Sequence, residues 1–364
     1  MTNRVLFITR ILLITAIASL IAGMWGGLQR MGWQLPTFQG AIAAYHGPIM
    51  VSGFLGTLIS LERAKGLGRN WAYIAPLLTG AGAVVIITGI SPPGGRILIT
   101  AGSLGFFVIL LFIINLQTSL FTIIMASGSL LWITGNILWI LDSTVPRIIA
   151  LWYSFLVIVI AAERLELSRV INNSSRTRLT FTFIIAVIIL GSFVTLADAK
   201  TGIRINGAAM LALTGWLILN DVSRHTVRSN RLTRFIAVSL LSGYLWLGIG
   251  SAIAIITAPG SGMMYDAMLH SLFLGFVFSM VIAHAPLIFP TILELPVSYR
   301  PTFYIPLVLL HSTLIIRIAG DISGGFVMRD IGGLLNALAI IAFLINSVNS
   351  IYSSANLKSN NTGN

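Results

Sequence analysis

Five histidines and ten carboxylates are the side chains of this 364-residue chain best placed to ligate a metal or carry a proton. With no cysteine, disulfides, thiolate metal sites and iron–sulfur clusters are excluded. His46 stands in "GAIAAYHGPIMVSGFLGTLISLERA", residues 40–64, near one end of an apolar run whose other end carries Glu62. His270 stands in "MLHSLFLGFVFSMVIAHAPLIFP" at the same place in a second run. An ionisable group in hydrocarbon is costly unless it is paired, hydrated or bound to something. Two imidazoles at matched depth on two helices suit the two axial positions of a haem iron, and an apolar slot between helices suits the porphyrin. Gly53 and Gly56 follow His46, and Gly275 follows His270; a missing side chain at each would let a flat macrocycle approach the backbone. In the competing reading each histidine only donates to a nearby carbonyl or caps a helix start.

The remaining histidines divide. His284 follows His270 by fourteen residues, about 21 Å along a helix and nearly on the same face, too far to share one metal. With His311 it could form a second site, taking a second haem or copper, although copper would want a third ligand. A packing role beside the "HAPLIFP" bend is the alternative for His284. His225, in the basic loop "NDVSRHTVRSN", reads as solvated.

The elements that must position these residues follow from composition. Hydrophobic residues make up 56%, charged residues 9%, and the mean hydropathy is +0.95, which places the chain in a lipid bilayer. Apolar windows fall on about twelve segments, 5–24, 39–62, 71–91, 97–117, 119–141, 146–163, 179–197, 204–220, 234–257, 264–288, 302–319 and 331–351. Runs of that length must satisfy their backbone internally, so the expected fold class is all-α, a polytopic membrane bundle of about 12 transmembrane helices. Residues 1–352 read as one transmembrane domain and 353–364 as a polar, disordered tail. The first segment reads as a retained helix, since it has charges on both sides and no small-residue cleavage signature.

The net charge of +12 has a topological cause. Lys and Arg divide about fifteen to seven if the N-terminus is inside. The expected protein is therefore multi-pass in the plasma (inner) membrane with both termini cytoplasmic, and the basic loops are not a nucleic-acid surface. Glu62–Arg63 and Glu163–Arg164 read as interfacial ion pairs at cytoplasmic helix ends, and Asp142, Asp198, Asp266 and Asp321 as boundary residues at outer ends. Aligning Glu62 with Glu163 and His46 with His270 suggests a bundle of three four-helix arcs.

"YHGPIMVSGFLG" resembles the second helix of haem-copper oxidase subunit I, and the helix count and inward termini are similar to that superfamily. "MLHSLFLGFVFSM" followed by "LVLLHSTLIIRIAGDI" resembles the late region of the NnrS family, haem- and copper-containing membrane proteins associated with nitric oxide stress. His46 and His270 carry the match. The resemblance implies haem b held between them, with copper or a second haem as a further family property. The departures are specific: segment ten lacks a second histidine, segment six offers Trp152 and Tyr153 where copper histidines would stand, segment seven has none, and the NnrS second histidine is Pro48. Standard oxygen reduction with coupled proton pumping is therefore not expected.

Three functions stay open on these residues. The first is a haem protein for electron transfer or nitric oxide handling, whose partners are other respiratory subunits or a small gaseous ligand. The second is a twelve-helix secondary transporter, and the third a membrane subunit that anchors a respiratory complex with structural histidines.

Overall fold

The computed structural model describes residues 3–37, 42–171, 174–295 and 299–361, with side chains of 352–361 outside the description. Among them the chain is helical throughout, with no strand, and eleven helices are long and apolar enough to cross a membrane. The chain is an all-α, polytopic membrane protein. The eleven match the expected segments except 39–62, whose residues 39–41 lie outside the described ones. That segment is nevertheless helical from His46 to Leu67. It carries His46, Glu62, Arg63 and Lys65, which lower its apolarity.

The chain divides into two compact units, Met1–Val159 and Ile160–Asn364. The first holds α1 (Asn3–Arg30), α2 (His46–Pro48), α3 (Thr57–Leu67), α4 (Ile74–Ile87), α5 (Pro92–Leu116), α6 (Leu120–Ile140) and the start of α7 (Val145–Leu167). Between α2 and α3 the helix widens into a π-helical segment, Ile49–Gly56. Its packing partners are α1 and α4, while α5 packs on α4 and α6. Lipid is as apolar as the core, so dispersion and small-residue contacts hold these faces together. Trp132 of α6 stacks on Phe155 of α7 at 4.7 Å and donates its indole N–H to Ser52 Oγ at 3.0 Å.

The second unit holds the rest of α7, then α8 (Ser175–Ala197), α9 (Ala199–Asn220), α10 (Ser223–Thr226), α11 (Arg231–Thr257), α12 (Gly262–His270), α13 (Phe278–Leu293), α14 (Tyr304–Ser323) and α15 (Phe326–Asn361). A second π-helical segment, Ser271–Val277, joins α12 to α13 and packs on α11. Beyond residue 352 the backbone is helical to Asn361, and 362–364 lie outside the described residues. Asp198 ends α8 and caps α9, accepting from the Lys200 and Thr201 amides. Its carboxylate also accepts from the Thr201 hydroxyl, and these bonds hold its pKa below the usual carboxylate value.

Candidate functional site

In the first unit, His46 opens its helix and points Nδ1 at the Gly23 carbonyl of α1, 2.6 Å away. A carbonyl oxygen can only accept, so Nδ1 carries the proton and the lone pair of the neutral ring lies on Nε2. The ring rests on Gly27, where a Cβ would come within 2.9 Å of Cε1. Two glycines of α1 thus fix the ring, one by its carbonyl and one by its missing side chain. Gly27→Val is expected to displace the ring and cost about 1–3 kcal/mol, measured as a fall in thermal stability.

In the second unit, His270 is the last residue of α12. Its Nδ1 lies 2.9 Å from the Asp266 carbonyl and 3.2 Å from Asp266 Oδ1. Arg317 of α14 holds the same carboxylate with Nη2 at 2.8 Å and Nε at 3.2 Å. Arg329 of α15 lies 3.6 Å from it and 3.0 Å from Asp321 Oδ1. Two guanidinium groups therefore face Asp266, Asp321 and, 3.8 Å from Arg329, Asp330, and Asp266 orients His270 from the Nδ1 side. A carboxylate behind Nδ1, with Nε2 left as the ligating nitrogen, is the usual support for a metal-bound histidine.

Asp266 and Asp321 are thus more than boundary residues. The available signals were the i, i+4 spacings Asp266–His270 and Arg317–Asp321 and the lone arginine in "LLHSTLIIRIAGDI".

Each histidine immediately precedes, or stands within three residues of, a π-helical segment that is buried except at Met50 and Phe273. Such segments are rare and concentrate at functional positions. The glycines inside them serve another purpose than the sequence suggests. A Cβ on Gly56 would come within 2.5 Å of the Trp132 ring, one on Gly53 within 2.8 Å of Ala83 Cβ, and one on Gly275 would strike Trp246. None of the three has room for a Cβ, so these glycines admit tight helix packing.

His284 also points Nδ1 at a carbonyl, Met280 O at 2.8 Å, and feels the charges of Glu163, Arg164 and Asp221. Arg164 turns to Asp221, making a bidentate pair at 2.8 and 3.1 Å with both side chains buried. His311 has the opposite tautomer. Its Nδ1 accepts from the Trp246 indole at 2.9 Å, so the proton sits on Nε2, which is buried and meets no hydrogen-bonding group. An Nε2 that bears a proton presents no lone pair to a metal. Among the described residues, no three His, Cys, Asp or Glu side chains gather where they could hold a metal ion. His225 is exposed and accepts from Arg224 Nε at 2.9 Å.

A family model described as a domain of unknown function (DUF8744) matches residues 9–352. No curated protein matches the chain in sequence. Among solved structures, a chain of a haem-copper terminal oxidase dimer, determined by cryo-EM, is similar with a TM-score of 0.59 and 12% identity. The match covers 96% of this chain and 84% of that one, a likeness of fold.

Proposed function

The chain belongs to the family defined by the domain of unknown function DUF8744, and from that membership and its oxidase-like fold we propose a haem-binding membrane protein of haem-copper oxidase or NnrS type. Its work would be electron transfer or the handling of nitric oxide, and His46 and His270 are the residues that would hold a haem b. The observation that carries this reading is their common setting: in both, Nδ1 faces a backbone carbonyl and a π-helical segment follows. In that tautomer the lone pair of each neutral ring lies on Nε2. The haem supplies a reversible one-electron centre. With both histidines as ligands it would suit transfer or sensing better than substrate turnover.

Around it this chain's residues orient the ligands: Gly23 and Gly27 set His46, and Asp266 with Arg317 sets His270. In the same reading His284 retains the tautomer of a metal ligand and His311 does not, so a second haem or a copper drawn from the family finds less support. The distribution of Lys and Arg supports the inner membrane with cytoplasmic termini. Partners of matching chemistry are a respiratory membrane subunit or a small gaseous ligand.

The test is a reduced-minus-oxidised visible spectrum of the detergent-purified protein, with metal analysis of the same sample. Sharp low-spin bands with one haem per chain are expected. A colourless protein from haem-replete cells overturns the proposal, and two haems per chain would return His284 to the ligand set.

A further inference from the structure

A fully buried asparagine lies in the aromatic part of the first unit. Asn136 of α6 has no exposed surface, and among the described residues neither its amide nitrogen nor its oxygen meets a hydrogen-bonding group. Trp152 of α7 is equally buried, and its indole N–H is also unpartnered. Trp152 Nε1 rests on Gly135, the residue before Asn136, where a Cβ would come within 2.6 Å of it. One turn away in the same cluster, Trp132 does find a partner, Ser52 Oγ. Buried polar groups are almost always bonded, and a cluster of exceptions marks an occupant.

The chemistry of that occupant is limited. Two kinds of donor, an indole N–H and an amide NH2, and one acceptor, an amide carbonyl, call for a group that accepts twice and donates once. A hydroxyl oxygen does this; a halide, a carboxylate or a hydrocarbon does not. Arg96 gives its Nη1 to the Trp139 carbonyl at 3.0 Å and to Asp142 at 2.7 Å. We infer that Asn136 and Trp152 form a binding site for one neutral hydroxyl oxygen between α6 and α7, supplied by an internal water or by the alcohol group of an apolar molecule. The site lies wholly in the first unit and does not depend on haem.

Three readouts test it. High-resolution cryo-EM of the purified full chain should show density in contact with Asn136 and Trp152; a single peak identifies water, and an extended feature an organic alcohol. Ultraviolet resonance Raman, as the wild-type minus Trp152→Phe difference, should show a hydrogen-bonded indole. Asn136→Leu should lower the melting temperature by several degrees, because it breaks a satisfied network. Absence of density together with a non-bonded indole signal overturns the site, as does a raised melting temperature in Asn136→Leu, which would mean that the amide is an unpaid cost. If Trp152→Phe does not fold, the wild-type map alone decides.

Discussion

His270→Ala abolishes the low-spin bands in a membrane whose wild-type protein shows them, and His46→Ala does the same, while His225→Ala leaves the spectrum unchanged. On the proposed reading each of the first two removes one of two iron-ligating nitrogens, and a low-spin iron would not keep its bands with one ligand gone. His225 is exposed and its ring accepts from its neighbour Arg224, so it serves as the control. Loss of colour could also follow from misfolding, which exogenous imidazole separates: restored low-spin bands in His270→Ala mean a folded protein with an open coordination position. Unchanged spectra in both alanine variants would sink the bis-histidine assignment. Asp266→Asn should act more gently, keeping the bands but shifting the reduction potential, since it removes the carboxylate behind Nδ1.

The largest expected effect on stability lies in the second unit. Asp221 takes two bonds from Arg164, the Ser223 amide at 2.7 Å and the Ser168 hydroxyl at 3.5 Å, with no exposed surface. Asp221→Ala leaves the Arg164 guanidinium buried with its main partner gone, an expected loss of about 3–5 kcal/mol. That corresponds to a fall in melting temperature on the order of 10 °C. Replacing both residues, Arg164→Leu with Asp221→Leu, should recover most of the loss, since no charge then remains buried. A double variant no more stable than the single one would show that Asp221 matters through Ser223 and the turn it holds, and a single variant within about 1 kcal/mol of wild type would show the pair to be solvated.

The membrane class and nearly all the helices were legible because apolar runs of spanning length admit no other satisfied backbone in lipid. The one segment outside the eleven apolar spans, 39–62, is the one carrying a histidine and the glutamate–arginine end. The sequence singles out His46 and His270, and the structure adds that both precede π-helical segments. Those segments leave no trace in composition, because a π turn differs from an α turn by one residue and uses the same side chains.

The Asp266 cluster was missed for a different reason. Its partners Arg317 and Arg329 come from α14 and α15, and a lone charge near a helix end looks the same whether it faces water or another helix. At the glycines, a missing Cβ announces a close approach without saying what approaches. Trp132 and Trp246 were the answer at Gly56 and Gly275.

The Ile49–Gly56 segment also has a phase. A π turn acts as one inserted residue, which rotates everything after it by about 100° relative to an uninterrupted α-helix. The face on which His46 meets α1 is therefore set apart from the face on which Leu58, Leu61 and Ala64 are buried. A one-residue deletion inside the segment would straighten the helix while turning one of those faces out of place. The same holds between His270 and the α13 residues Ile282 and Ala283. In both units the angular position of the imidazole can thus be retained or changed independently of the core beneath it.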